Sequence, residues 1–268
     1  FFTAELLAHK EDLIRSIVEI WNPSYLVSKY RLDPDGKKLE TPLIVTEIGE
    51  SLSSATEVQE GKARFVVDLM DTINPGLFLD MRDIRIEIGS RSASKTLLNL
   101  FSYTCSFAVH ARLGGAMKVV NVDISSKILE KGRANYQLNG LTCLPGEFFK
   151  GSSFEYLVYA NKKGLRFDGI ILDPPSFARY KKDVFNVRDH LQECVSLGAK
   201  LLNPKGFFMV SSNYSGFTPE TLAEASLATV QREAGNANLL WARSQGPDFP
   251  GHGLMKESCL SAALIQRK

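Results

Sequence analysis

The sequence predicts a doubly wound, mostly parallel α/β sheet preceded by a small N-terminal α+β appendage. Two patterns carry this prediction. From Thr96 onward, strand-sized apolar runs alternate with amphipathic stretches of helical length. Candidate strands are Thr96–Phe101, Lys118–Val122, Asp168–Leu172, Gly206–Ser211 and Cys259–Ile265, and candidate helices are Phe107–Leu113, Ser126–Asn139, Val187–Leu202 and Pro219–Ala234. Such alternation builds parallel sheets covered by helices on both faces. Residues 1–75 lack it. There Leu6, Leu7, Leu13, Ile14, Ile17, Val18 and Trp21 recur at helical spacing up to Pro23. Short strand-like runs follow at Tyr25–Tyr30, Leu43–Ile48 and Ala63–Leu69, separated by turn-rich Asp33–Lys38 and polar Glu50–Gly61. The expected division is an appendage over 1–75, serving substrate recognition or as a lid, and a main domain over 76–268.

Composition narrows the function classes. With 268 residues, 44% hydrophobic and 23% charged, the chain has the balance of a globular protein, not of a disordered or collagenous one. No stretch reaches the ~20 apolar residues of a membrane span. Cys105, Cys143, Cys194 and Cys259 stand far apart with no Cys-x-x-Cys pair, so neither a zinc cage nor a disulfide framework is signalled, and a reducing cytoplasm suits them. The chain opens on Phe1, which leaves room for a preceding segment, a targeting signal included. The net charge of +2 divides unevenly: residues 1–75 carry 8 Lys+Arg against 13 Asp+Glu, and the remainder 24 against 17. A basic main body suits either a polyanionic partner or an ordinary solvated surface.

In doubly wound sheets, ligands bind beyond the carboxyl ends of the strands. After the first main strand, Asn99-Leu100-Phe101-Ser102-Tyr103-Thr104-Cys105 reads as a tight turn opening a helix, where backbone N–H groups can meet a ligand. It lacks Gly-x-Gly-x-x-Gly, which argues against a nicotinamide dehydrogenase. Asp123 ends the second strand, 24 residues after Asn99. It suits either a ribose diol or, with Ser125, the cap of the following helix. The most specific string is Asp173-Pro174-Pro175-Ser176-Phe177. Two prolines directly after a buried strand give a rigid, extended loop that can aim the Asp173 carboxylate and the Pro174 carbonyl at one point, with Phe177 free to stack on a planar ring.

Three strings, Asp173–Phe177, Leu98–Thr104 and Gly76-Leu77-Phe78-Leu79-Asp80-Met81-Arg82, resemble those of bacterial S-adenosylmethionine-dependent 23S rRNA methyltransferases, over about residues 62–268. Val187–Leu191, Ser212–Phe217 and Ser244–Phe249 resemble most the guanine-N7 half of the bifunctional large-subunit enzyme. The resemblance implies a Rossmann-like class I methyltransferase sheet with S-adenosylmethionine as cofactor. It implies further that the segment with Phe78, Asp80 and Arg82 covers the methionine and methyl end. Asn99, Phe101, Ser102, Tyr103 and Thr104 would form the cofactor turn, and Asp123 would bind ribose. Asp173, Pro174 and Phe177 would hold the target base, with Asp173 also beside the cofactor. Two positions depart from the family pattern. Cys105 replaces a glycine, whose conformational freedom the turn would use. Ser152 replaces an aspartate that would accept the adenine amino group, at a cost of ~1.5–3 kcal/mol.

Cytosine C5 chemistry needs a cysteine that adds to the ring. The loops where such enzymes carry it read Pro174-Pro175-Ser176-Phe177 and Ser211-Ser212-Asn213, without cysteine. Guanine N7 already offers a lone pair and needs only alignment with the sulfonium methyl, and an exocyclic amine would also fit Asp173 and the Pro174 carbonyl. The subfamily resemblance puts N7 first. Between Phe177 and His190, Arg179, Tyr180, Lys181, Lys182 and Arg188 interleave cations with aromatics, which suits RNA of the 23S rRNA or a pre-ribosomal particle. His190 reads as structural or RNA-contacting. The competing classes are a degenerate RNA-binding factor, which Cys105 and Ser152 favour, and a methyltransferase for protein or small molecules.

Overall fold

The computed structural model describes residues 8–33, 37–50, 55–72, 74–180, 183–249 and 260–268. The chain forms two compact units, one of Phe1–Val58 and Phe65–Leu77, the other of Gln59–Arg64 and Phe78–Lys268.

In the first unit, α1 (Lys10–Trp21) ends on Asn22, which adopts a left-handed conformation (φ 43°) just before Pro23. The strands β1 (Leu26–Leu32) and β2 (Lys38–Ile48) pair antiparallel. Lys10 ties the helix to this hairpin through Glu47, 2.8 Å away. The polar stretch expected as a linker contains a strand, β3 (Thr56–Glu60), which pairs with β4 (Ala63–Val67). Its alternation is hidden because most of its side chains face water. Gln59–Arg64, the tip of that hairpin, counts with the second unit.

The second unit opens with a 3₁₀ turn, Leu79–Met81, that runs into α2 (Arg82–Ser90). There follow β5 (Thr96–Leu100), α3 (Ser106–Leu113), β6 (Lys118–Asp123), α4 (Ser126–Leu138), β7 (Phe148–Lys150), α5 (Ser153–Lys162) and β8 (Phe167–Leu172). A short hairpin, β9 (Phe177–Tyr180) and β10 (Asp183–Asn186), leads into α6 (Val187–Ala199). The unit closes with β11 (Leu202–Ser212), α7 (Pro219–Ala234), β12 (Ala237–Arg243) and β13 (Ser261–Arg267). The seven-stranded sheet runs β12-β13-β11-β8-β5-β6-β7, with only β13 antiparallel to its neighbours. This is the predicted mostly parallel, Rossmann-like α/β sheet. In this unit the candidate strands and helices did not include α2, β7, α5, β9, β10 or β12. Of these, β7, β9 and β10 are strands of three or four residues and β12 is an edge strand with exposed leucines, too short or too wet to show a period. The last candidate strand began at Cys259, which lies outside the described residues, and β13 begins at Ser261.

The central strands β5, β6 and β8 are buried on both faces, as parallel strands under two helical layers must be. Leu98, Leu100, Val120, Ile170, Leu172, Phe208 and Val210 pack there with Leu157 of α5, Leu191 and Val195 of α6 and Val230 of α7. The chain order reverses between β5 and β8, and ligands in open sheets bind at such a switch.

Candidate active site

Strand register brings the chemistry together. Leu100 of β5 lies opposite Leu172 of β8 and Val122 of β6, and Leu172 lies opposite Val210 of β11. One residue further along, Phe101, Asp123, Asp173 and Ser211 therefore sit in a row at the carboxyl edge of the sheet.

The turn after β5 is tightly wound. Phe101, Tyr103 and Cys105 all adopt left-handed backbone conformations, with φ of 54°, 47° and 61°. Its N–H groups, expected to face a ligand, are largely taken by the protein. Phe101 N–H donates to Ser153 Oγ (2.9 Å), Ser102 N–H to the Val122 carbonyl (3.0 Å), Tyr103 N–H to Asp123 Oδ2 (3.0 Å) and Cys105 N–H to the Ser102 carbonyl (2.8 Å). A run of non-glycine left-handed residues costs roughly 1–2 kcal/mol per position, and these bonds hold it in place. The side chains of Ser102 and Thr104 are buried, and Asn135 of α4 donates to the Thr104 carbonyl (3.0 Å). Asn99 also faces inward: its amide donates to Asn121 Oδ1 (2.9 Å), whose own amide reaches Tyr136 Oη (3.2 Å).

Cys105 does not crowd the mouth of the turn. Its side chain is 0% exposed and lies over Gly132 of α4, where an added Cβ would come within 2.5 Å of Sγ. Helix α4 thus carries a glycine notch that receives the thiol. Burial pushes the Cys105 pKa upward, so it is an inert thiol.

Asp123 is a tie rather than a helix cap. Ser125 caps α4, accepting from Ile128 N–H (3.3 Å), while the two Asp123 oxygens accept from Tyr103 N–H and Ser125 N–H (2.9 Å). Each oxygen keeps a second lone pair for a diol. Ser152 caps α5 through Glu155 N–H at 3.5 Å, so its hydroxyl has a structural task besides any ligand.

Phe78 is 45% exposed and its ring lies 5.3 Å from that of Tyr103. Asp80 sits in the 3₁₀ turn, and burial raises its pKa against the opposing charge of Arg85. Arg82 is committed elsewhere: its guanidinium makes a two-pronged contact with Asp248 (2.8 and 3.1 Å) and a third with Asp83 (3.1 Å). It anchors the segment before β13, a role its place in the motif does not show.

At the end of β8, Asp173 Oδ1 accepts the Ser211 hydroxyl at 2.7 Å. Burial pushes the Asp173 pKa up to about 6, the Ser211 bond and Arg85 oppose that rise, and the negative charge of Asp80 adds to it. Pro174 is buried, and Ser176 donates to Asn213 Oδ1 (2.8 Å). Phe177 is 52% exposed and opens the β9–β10 hairpin, opposite Asn186. Phe185 turns back from β10 onto Phe101, with ring centroids 5.0 Å apart. His190 is structural: its Nδ1 lies 2.9 Å from the Asn186 carbonyl and its ring against Phe185. Of the RNA candidates, Arg179 and Tyr180 lie on β9, Arg188 is exposed on the first turn of α6 beside Asp189 (3.3 Å), and Lys181 and Lys182 lie outside the described residues.

Behind Asp80 a buried ion cluster went unseen in the sequence. Arg85 grips Glu60 with two bonds (2.7 and 2.6 Å), and His110 Nε2 lies 2.9 Å from Glu60 Oε1. Hydrogen bonds from Arg85 and His110 hold the Glu60 carboxyl at a pKa of about 2 in spite of its burial. No group of three or more His, Cys, Asp or Glu among the described residues could hold a metal ion.

The donor set fits S-adenosylmethionine. Asp80 and Asp123 both have pKa values raised by burial, so each would gain from a new donor or cation, and the cofactor offers both kinds in its ribose hydroxyls, ammonium and sulfonium.

Comparison with known proteins agrees. The chain is 34% identical over 203 residues to ribosomal RNA large subunit methyltransferase I of Aeromonas salmonicida, covering 75% of this chain and 51% of that protein. It is 37% identical over 199 residues to methyltransferase K/L of Acinetobacter baumannii (72% and 26%), and 37% over 174 residues to methyltransferase K of Neisseria meningitidis (64% and 49%). The chain therefore spans about half the length of the first and third and about a quarter of the second. The crystal structure of the methyltransferase SMU.776 with SAH superposes with a TM-score of 0.82 at 25% identity, covering 97% of this chain and 66% of that one. The sequence model of the S-adenosylmethionine-dependent methyltransferase family matches residues 21–264, and the chain belongs to that family.

Proposed function

We propose that the chain methylates a base of large-subunit ribosomal RNA, with guanine N7 as the attacked atom. The observation that carries this reading is that the two loops where C5 methyltransferases carry their cysteine, Pro174–Phe177 and Ser211–Asn213, hold no cysteine, and that the serines of the second are engaged by the fold. The Ser211 hydroxyl is bound to Asp173, and Ser212 Oγ accepts from Tyr214 N–H (3.1 Å); both side chains are buried. Both hydroxyls are buried and bonded within the protein, and neither is the thiol that cytosine C5 chemistry uses, so the site suits an atom that already has a lone pair.

S-adenosylmethionine, when bound, supplies an activated methyl group. The residues that would hold it are Asp123 for the ribose, Ser152 near the adenine, Phe101 to Thr104 as the floor, and Phe78 with Asp80 over the methionine end. Asp173 holds the base by accepting a ring or amino N–H and offsets the positive charge that develops on the purine. Phe177 covers the ring face from the hairpin. Arg179, Tyr180, Lys181, Lys182 and Arg188 contact flanking RNA. Positioning of two well-aligned groups supplies ~7–11 kcal/mol, enough to dispense with covalent activation. The 1–75 segment serves substrate recognition, and the ribosomal substrate places the reaction in the cytoplasm.

An exocyclic amine is a second reading, favoured by the Asp173 carboxyl, whose pKa burial pushes up to about 6 and which can both accept from the amine and take its proton. Transfer of labelled methyl to ribosomal RNA from cells lacking this protein, followed by nucleoside mass spectrometry, separates the readings. Label in 7-methylguanosine supports the first, and label in an N-methylated amine the second. Label in 5-methylcytosine, or none in RNA, refutes both.

A further inference from the structure

The end of β11 is occupied by polar side chains where a buried parallel strand would ordinarily carry apolar ones. Ser211 is 0% exposed, and its hydroxyl crosses from β11 to β8 to donate to Asp173 Oδ1 at 2.7 Å. Two residues on, Asn213 accepts from Ser176, at the far end of the Asp173–Phe177 loop. The loop is thus pinned at both ends to one neighbouring strand, and between the pins stand two prolines that cannot flex. Asp173 has no other hydrogen-bond partner among the described residues, so Oδ2 remains uncommitted.

We propose that Ser211 is a positioning residue for Asp173, its hydroxyl fixing Oδ1 so that Oδ2 is the oxygen presented to the substrate base. The assignment rests on the reading that Asp173 faces the base. A carboxylate has two equivalent oxygens and a soft second torsion, so a lone aspartate at a strand end would rotate between several poses. One short bond from a fully buried hydroxyl removes that freedom before substrate arrives, which is how a supporting residue improves a site it does not touch. The same bond favours the ionised carboxylate over its buried neutral form, against the charge of Asp80 and alongside that of Arg85. Ser211 thereby keeps Asp173 an acceptor at neutral pH and matches it to an N–H donor rather than to a carbonyl.

The test compares Ser211→Ala and Ser211→Thr with wild type, using two readouts. The first is the titration of Asp173 followed by carboxyl carbon NMR on the folded chain, which needs no substrate. Loss of the donor raises the Asp173 pKa by about one pH unit in the alanine variant, and the threonine variant, which keeps the hydroxyl, returns it toward the wild-type value. The second is turnover: the alanine variant loses about tenfold or more in kcat while cofactor affinity stays unchanged, as loss of a bond to a charged group predicts. An alanine variant that folds, binds cofactor and titrates at Asp173 as wild type does overturns the proposal, whatever the threonine variant does. Failure of the wild-type chain to methylate RNA would count against the proposed function alone, because the titration still decides the role of Ser211.

Discussion

Asp173 is where the residue-scale account is most exposed to test. Asp173→Ala should abolish methyl transfer while leaving cofactor affinity within about tenfold, since the proposed reading gives the cofactor's polar contacts mainly to Asp80 and Asp123. Retained turnover would refute the role. Stability should move the other way. The carboxyl binds its proton more tightly in the folded chain, at about 6 against an ordinary 3.8, so ionised Asp173 weakens the fold progressively as pH rises from about 4 to about 6. Asp173→Asn should therefore raise the melting temperature at pH 7, by on the order of 1–3 kcal/mol in stability, with the gain vanishing near pH 4. A melting series across that range checks it. Asp173 itself was legible in the sequence, because a carboxylate followed by two prolines after an apolar run has few purely structural uses. Ser211 was legible only as a missing nucleophile. Its bond depends on the register of β8 against β11, 38 residues apart in the chain, and no local pattern encodes that.

At the scale of elements, the cofactor turn and α4 form one fitted pair. Cys105 bears the strain of a left-handed φ, and Gly132 leaves the space for its thiol. Cys105→Gly should leave cofactor affinity unchanged and stabilise or leave neutral the fold, since glycine removes the conformational strain. Gly132→Ala alone should destabilise by about 1–3 kcal/mol from overpacking. The double variant should recover that loss, because the atom that clashes is gone. A thermal or denaturant double-mutant cycle measures the coupling, and additive effects would show that Cys105 and Gly132 are not packed together. The hairpin tip behaves similarly with respect to α2. Glu60→Ala leaves Arg85 buried without its partner and should cost about 3–5 kcal/mol. The wild-type contribution of Glu60 should be full above pH 4.5 and be lost as pH falls through about 2. Acid unfolding of wild type against Glu60→Gln reads this. Neither the Cys105 notch nor the Glu60 cluster could be found from sequence. Cys105 was recognised as a departure, but where its side chain points depends on backbone conformation. Glu60 sat in a polar run whose strand character is visible only once its partner strand is in place.

For the molecule as a whole, the alternation of apolar and amphipathic segments foretold the sheet, and the switch between β5 and β8 places Phe101, Asp123 and Asp173 at one edge. What sequence could not supply was which polar side chains the fold consumes internally. Asn99 and Arg82, both expected at the cofactor, also donate within the protein, to Asn121 and to Asp248. The charge split, acidic over residues 1–75 and basic beyond, implies that RNA affinity weakens steeply with salt if the basic part carries the contact. The most direct test of the central claim is methyl transfer from labelled S-adenosylmethionine to ribosomal RNA of cells lacking this protein, with the digested nucleosides identified by mass. The account predicts label in 7-methylguanosine, lost with Asp173→Ala. Label in 5-methylcytosine, or cofactor binding with no transfer to RNA, would contradict it.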